Sequence, residues 1–328
     1  MSNPRLSLAV SSGLVALPDD GVIAVFGARA DTDLSALPQA RTRVVQGFKP
    51  DHDALLAAGW QVSPDAPEAA TLSIVFLPRA KAQARDMLAT AAACTTGMLV
   101  VDGAKTDGID SIYKDLRKRA AVSPALSKAH GKLFTLPATT DLSEWRALAQ
   151  TVADGFVTAP GVFSADGIDP ASHLLAAALP AKLGRRVADL GAGWGYLASQ
   201  ILTRATIETL DLIEADHAAL ACARQNITDP RAKFHWADAT TWAPREKYDA
   251  VVMNPPFHTG RSADTDLGRA FIQAAAQIIA PSGQLWMVAN RHLAYESTLT
   301  ACFAQVDEVG GDNRFKILHA ARPSRQRR

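Results

Sequence analysis

The chain has 328 residues, 48% of them apolar, enough for two domains with substantial cores. Its formal net charge of +1 argues against nucleic-acid recognition through a global positive field, so any such contact needs a local patch. Cys94, Cys222 and Cys302 lie far apart with no C-x-x-C pair, which argues against a disulfide framework or a cysteine zinc site.

Residues 6–17 are mildly apolar behind Arg5, but Ser7, Ser11, Ser12 and Gly13 interrupt the run, and a secretory leader is the weaker reading. No apolar run reaches the about 20 residues that cross a bilayer. A cytoplasmic protein without a membrane partner is expected.

In the first half, residues 21–26 and 71–77 read as buried strands. A helix is predicted over 81–93 and a strand over 98–101, an alternation that implies a parallel sheet. Between residues 105 and 132 stand seven Lys/Arg against three acids. Lys114, Arg117, Lys118 and Arg119 are expected along a helix, with Lys128 and Lys132 beyond. Such a run is usually a solvated face, but it also suits contact with phosphate. A helix with a loop is predicted over 141–157. The Pro- and Gly-containing stretch 158–167 then marks the junction, giving domains 1–155 and 156–328. Asp169-Pro170 opens an apolar helix over 171–179.

The second half is built around residues 187–196, VADLGAGWGY. A buried strand runs into a turn with Gly191, Gly193 and Gly195, and a helix follows over 196–202. Without Cβ atoms the turn is tight and a ligand can lie against it, near the free N–H groups of the helix. A dinucleotide fingerprint spaces its last two glycines three apart for a pyrophosphate. Here Asp189 closes the strand and the glycines alternate, which suits a ligand bearing an ammonium group. The strand 207–213 ends at Glu214, placed to accept from both ribose hydroxyls; Asp216 is the competing candidate. A strand over 233–236 leads to Asp238, which can accept an adenine amino group or simply shape a turn.

Residues 248–253 form the next strand, stopped by Asn254-Pro255-Pro256-Phe257. The rigid turn presents the Asn254 side-chain oxygen and the Pro255 carbonyl as two acceptors for the hydrogens of a planar exocyclic amine, with Phe257 as a stacking face. An aryl amine is a poor nucleophile because its lone pair is delocalised. Two acceptors can turn that lone pair toward an electrophile, so that catalysis rests on positioning and electrostatics. The pattern strand–helix–strand of residues 73–102 recurs at 250–288, the first copy without the glycine turn and Asn-Pro-Pro. A closing pair of strands over 306–309 and 315–321 precedes a basic tail.

The glycine turn resembles the first motif of class I S-adenosylmethionine-dependent methyltransferases, and Asn-Pro-Pro-Phe their amino-methylating members. With residues 127–132 (SKAHGK), 160–167 (PGVFSADG), 288–290 (VAN) and 314–318 (RFKIL), the chain resembles the bacterial ribosomal RNA guanine-N2 methyltransferases, chiefly the small-subunit (16S) group. The resemblance implies two tandem Rossmann-like methyltransferase domains, each a mostly parallel sheet with flanking helices and an antiparallel closing strand. The first would lack cofactor chemistry and support RNA recognition. It implies that Asp189, Gly191, Gly193 and Gly195 frame the methionine part of S-adenosylmethionine, that Glu214 holds the ribose and Asp238 the adenine, and that Asn254, Pro255 and Phe257 hold guanine. No metal is implied, and the partner is ribosomal RNA or an assembling subunit, met by a monomer. Trp194 departs from the family, which more often has a small residue there. Open alternatives are a large-subunit substrate, an adenine-N6 or protein-glutamine methyltransferase using the same turn, and a non-catalytic RNA-binding assembly module.

Overall fold

The computed structural model describes residues 4–147, 150–256, 258–259, 262–263 and 265–324. Two compact units, Met1–Ala149 and Gln150–Arg328, divide the chain a few residues ahead of the junction read from its Pro and Gly content.

The first unit runs α1 (Arg5–Ser11), β1 (Ile23–Phe26), β2 (Thr42–Val45), α2 (Lys49–Ala57), β3 (Gln61–Ser63), β4 (Ala70–Phe76), α3 (Lys81–Cys94), β5 (Thr95–Ala104), α4 (Ile109–Leu116), β6 (Leu126–Lys128) and β7 (Gly131–Pro137). Its seven strands are ordered β3-β2-β1-β4-β5-β7-β6, with β7 antiparallel to β5. β1 is buried along its whole length, as a central parallel strand covered on both faces must be. Phe26, Val75 and Leu99 pack with α3 and α4 on one face, while Ile23, Val25 and Ile74 pack with α1 and α2 on the other.

The second unit opens with the short pair β8 (Gln150–Thr151) and β9 (Val157–Thr158), then α5 (Pro170–Ala178), β10 (Arg186–Leu190), α6 (Tyr196–Leu202), β11 (Thr209–Glu214), α7 (His217–Asn226), β12 (Ala232–Trp236) and β13 (Tyr248–Met253). It continues through the small hairpin β14 (His258–Thr259) and β15 (Ser262–Ala263), α8 (Thr265–Ile278), β16 (Ile279–Asn290), α9 (Glu296–Cys302), β17 (Phe303–Gly311) and β18 (Phe315–Pro323). The main sheet is ordered β12-β11-β10-β13-β16-β18-β17, with β18 antiparallel to β16. Position for position this is the order of the first unit. One face of the sheet packs against α5, α6 and α7, the other against α8 and α9.

The recurring strand–helix–strand segments take equivalent places, β4-α3-β5 and β13-α8-β16. Gly97 and Gly283 explain one shared feature of the repeat. A Cβ at Gly97 would stand 2.5 Å from the Thr71 carbonyl oxygen, and one at Gly283 2.8 Å from that of Asp249. Each glycine lets the fifth strand cross a register shift against the fourth.

Some expectations need correction. The helix with a loop expected over 141–157 is instead two 3-10 turns, Ser143–Trp145 and Ala153–Gly155, with β8 between them and β9 after the second. Trp145 is buried beneath the Arg85 and Arg119 guanidiniums, and the Ala147 N–H is taken by Asp86. Asp154 adopts a left-handed conformation (φ 61°) that no helix tolerates. Helical periodicity gave way here to side-chain docking. The helix expected to carry the 114–119 cations ends at Leu116, leaving Arg117, Lys118 and Arg119 in the turn beyond. The elements β2, α2 and β3 escaped the sequence reading, because an edge strand such as Gln61-Val62-Ser63 is mostly exposed and carries no apolar signal. Residues 6–17 are structural: Leu6, Ala9 and Val15 enter the core.

Candidate cofactor and substrate site

The site forms at the carboxyl edge of the central strands, where open α/β sheets hold ligands. β10 is flanked by β11 and β13, with Leu190 paired to Ile213 and to Met253. One residue further along each strand stand Gly191, Glu214 and Asn254. Three sites read separately from the sequence therefore meet on adjacent strands.

The turn after β10 is stitched down by Gly191 and Ala192, whose N–H groups donate to the Ile213 carbonyl at 2.9 and 3.2 Å. Gly191, Gly193 and Gly195 all have positive φ, at 74°, 56° and 94°. At Gly193 a Cβ would meet nothing within 4 Å, so that side of the turn is open to a ligand. Gly195 is required on the opposite side, where a Cβ would press on Ile227 Cγ1 at 3.1 Å.

Asp189 has zero exposure, and neither carboxyl oxygen has a hydrogen-bond partner among the described residues. Burial, reinforced by the nearby Glu214 carboxylate, pushes its pKa up to about 8. Glu214 is raised to about 7, again mainly by burial, against the opposing pull of backbone N–H donors. Its Oε2 accepts from Gly193 N and its Oε1 from Asp216 N, both at 2.7 Å. An orphaned buried carboxyl beside a second acid and an open glycine turn is unsatisfied without a cation. These residues fit the cationic methionine end and the ribose of S-adenosylmethionine.

The competing ribose candidate, Asp216, is the N-cap of α7, accepting from Ala218 N and Ala219 N at 2.9 and 3.4 Å. Asp238 accepts from Thr240 N at 2.8 Å and Thr240 Oγ1 at 2.7 Å through Oδ1, which leaves its Oδ2 for a ligand.

Asn254 ends β13 with its amide already committed on one side. Nδ2 donates to Asp169 Oδ2 at 3.0 Å and to Ser172 Oγ at 2.9 Å. Pro255 is buried and Pro256 exposed. Phe257 lies outside the described residues. Asp169 and Ser172 were not singled out from the sequence, where Asp-Pro reads only as a helix start; nothing local signals a partner 85 residues away.

Trp194, the departure from the family pattern, is buried and donates its indole N–H to the Phe163 carbonyl at 3.0 Å. Its ring packs 5.1 Å from that of Phe156. Asn226 donates to the Trp194 and Val157 carbonyls at 2.8 and 2.9 Å and accepts from Val157 N. The large side chain thus anchors the 156–163 segment beside the glycine turn.

The cations of the first unit are unevenly free. Arg119 pairs with Glu144 and lies over Trp145; Lys132 pairs with Asp110 at 2.6 Å and, like Arg117, lies over Tyr113. Lys114, Lys118 and Lys128 are exposed and make no ion pair among the described residues. Among those residues no group of three or more His, Cys, Asp or Glu is arranged to hold a metal, and no helix is long and apolar enough to cross a membrane.

In the first unit, Phe26 pairs with Val45 and Val75 as Leu190 pairs with Ile213 and Met253. The positions of Asp189, Glu214 and Asn254 are there held by Val25, Gln46 and Phe76. Gln46 Nε2 donates to the Ala28 carbonyl at 2.6 Å, and Ala30 N donates to Asp51 at 2.9 Å, so that turn is closed upon itself.

Residues 154–319 match the methyltransferase small domain family, which makes the second unit an S-adenosylmethionine-dependent methyltransferase domain. Ribosomal RNA small subunit methyltransferase C of Shewanella oneidensis is 32% identical over 261 residues, 75% of each chain. The Pseudomonas aeruginosa protein of the same name is 32% identical over 313 residues, covering 90% of this chain and 93% of its own. The chain belongs to the ribosomal RNA small subunit methyltransferase C family. Its fold is that of a T. thermophilus 16S rRNA N2 G1207 methyltransferase solved with AdoMet and guanosine, at a TM-score of 0.80 and 24% identity, covering 98% of this chain and 92% of that one.

Proposed function

We propose that the protein transfers a methyl group from S-adenosylmethionine to the exocyclic N2 amine of a guanine in small-subunit (16S) ribosomal RNA. The observation that carries this reading is the commitment of Asn254 Nδ2 to Asp169 and Ser172, which leaves Oδ1 as a fixed acceptor at the carboxyl edge of β13. An acceptor there, with the Pro255 carbonyl, suits an amine and repels a carbonyl oxygen.

When bound, S-adenosylmethionine supplies an electrophilic sulfonium methyl. Asp189 as a carboxylate faces its cationic end, Glu214 holds the ribose and Asp238 the adenine amino group. Asn254 and Pro255 hold the two amine hydrogens, directing the lone pair along the line of transfer, with Phe257 as the stacking face for the extruded base. No residue must remove a proton before attack, and the proton leaves after the nitrogen has gained its fourth bond. The first unit, with its Val25, Gln46 and Phe76, supports the catalytic unit and contributes phosphate contacts, foremost through Lys114, Lys118 and Lys128. The protein acts as a monomer in the cytoplasm on RNA or an assembling subunit.

The test uses methyl-labelled S-adenosylmethionine with small-subunit RNA, large-subunit RNA and partly assembled small subunits, followed by nucleoside separation. Label in N2-methylguanosine from small-subunit material is expected. Label in methyladenosine, or from large-subunit RNA alone, refutes the substrate assignment.

A further inference from the structure

We propose that Asp169 and Ser172 are positioning residues for methyl transfer: they set which end of the Asn254 amide faces the reacting amine. The inference rests on the amine-gripping role of Asn254 proposed above.

An asparagine side chain presents an acceptor and a donor of nearly the same shape, and only its surroundings decide which points where. Turned the wrong way, Asn254 would offer N–H bonds to an amine that itself has hydrogens to donate. The substrate would lose one acceptor, and two donors would be opposed. Asp169 prevents this. An ionised carboxylate accepts and cannot donate, so the atom 3.0 Å from Asp169 Oδ2 must be the amide nitrogen. Ser172 Oγ, at 2.9 Å, takes the second amide hydrogen. With both N–H bonds used, Oδ1 is directed away from α5.

The director is itself held rigidly. The same Asp169 Oδ2 accepts from Ser172 N at 2.8 Å as the N-cap of α5, and Pro170 follows with its fixed φ. Ser172 is buried. One oxygen thus serves a structural bond and an orienting bond, and the two can be separated. Serine at 169 caps a helix as well as aspartate does, but its shorter side chain stops short of Asn254. Asparagine at 169 keeps a carbonyl oxygen at the position of Oδ2 and so keeps both bonds.

The experiment measures kcat and KM for small-subunit RNA, the dissociation constant of S-adenosylmethionine and the melting temperature, on the full chain carrying Asp169→Ser, Asp169→Asn, Ser172→Ala or Asn254→Ala. Asp169→Ser is expected to lower kcat roughly 10- to 100-fold, the scale of a misplaced catalytic group, with cofactor affinity and melting temperature nearly unchanged. Asp169→Asn is expected to recover most of that loss, and Ser172→Ala to show a smaller drop. Combining Asp169→Ser with Asn254→Ala should cost no more than Asn254→Ala alone, because the residue acts through the amide. If Asp169→Ser keeps wild-type kcat while Asn254→Ala abolishes turnover, the positioning role is wrong and the reading of Asn254 stands. If Asn254→Ala is itself active, that reading falls and this inference with it. Equal losses in Asp169→Ser and Asp169→Asn, tracking a lowered melting temperature, would reduce Asp169 to a helix cap.

Discussion

Asp189 makes cofactor binding depend on pH in a way that can be worked from its surroundings. Its carboxyl is fully buried, has no hydrogen-bond partner among the described residues and titrates at about 8. Its ionised fraction is therefore ~1% near pH 6 and ~50% near pH 8, so a cationic ligand that needs the carboxylate binds roughly 50-fold tighter at the higher pH. Glu214, at about 7, titrates with it as a pair and broadens the rise. Calorimetric titration with S-adenosylmethionine across this range, in buffers of differing ionisation enthalpy, should show tightening and release of a proton on binding. Asp189→Asn should bind weakly and with little dependence on pH. The sign for stability runs the other way. The folded pKa lies above the unfolded value of 3.8, so the stabilisation is complete below that value and is lost as pH rises through about 8. The ligand-free variant should therefore gain melting temperature over the native protein increasingly from pH 5 to pH 8. Affinity that is flat from pH 6 to pH 8, together with native affinity in Asp189→Asn, would refute the assignment of Asp189 as the cation's partner.

Asn254→Ala should lower kcat by about 100- to 1000-fold, as loss of one preorganised polar contact does, with cofactor affinity intact by calorimetry. Arg5→Ala should destabilise the first unit by about 3–5 kcal/mol in chemical denaturation, because it removes the guanidinium that bonds both oxygens of the buried Asp102 carboxylate; the native pair is 2.7 Å apart with both side chains inside. Replacing both partners by apolar residues should recover much of that loss. Trp194→Ala should cost about 3–5 kcal/mol and expose the 156–163 segment to proteolysis, since the indole fills core and holds the Phe163 carbonyl.

The amino-acid sequence by itself determined the fold class and the ingredients of the site. Alternating apolar runs and helical patterns specify parallel sheets wherever strands are buried on both faces. Glycines in a row after Asp189, and prolines that end a strand after Asn254, constrain backbone in ways few other residues do. These signals are local, and elements such as Tyr196–Leu202 and Tyr248–Met253 match the structure residue for residue. Only the tertiary structure decided which end of the Asn254 amide faces outward, because that follows from a carboxylate 85 residues earlier in the chain. It alone assigned Asp216 to a helix cap and gave Trp194 a carbonyl to hold. It likewise turned residues 141–157 from an expected helix with a loop into two 3-10 turns and two short strands, the first turn docked through Trp145 and Asp86. Periodicity records what a segment can bury. Hydrogen-bond partners distant in sequence exist only once the sheet has set its register, so their roles emerge from the folded chain.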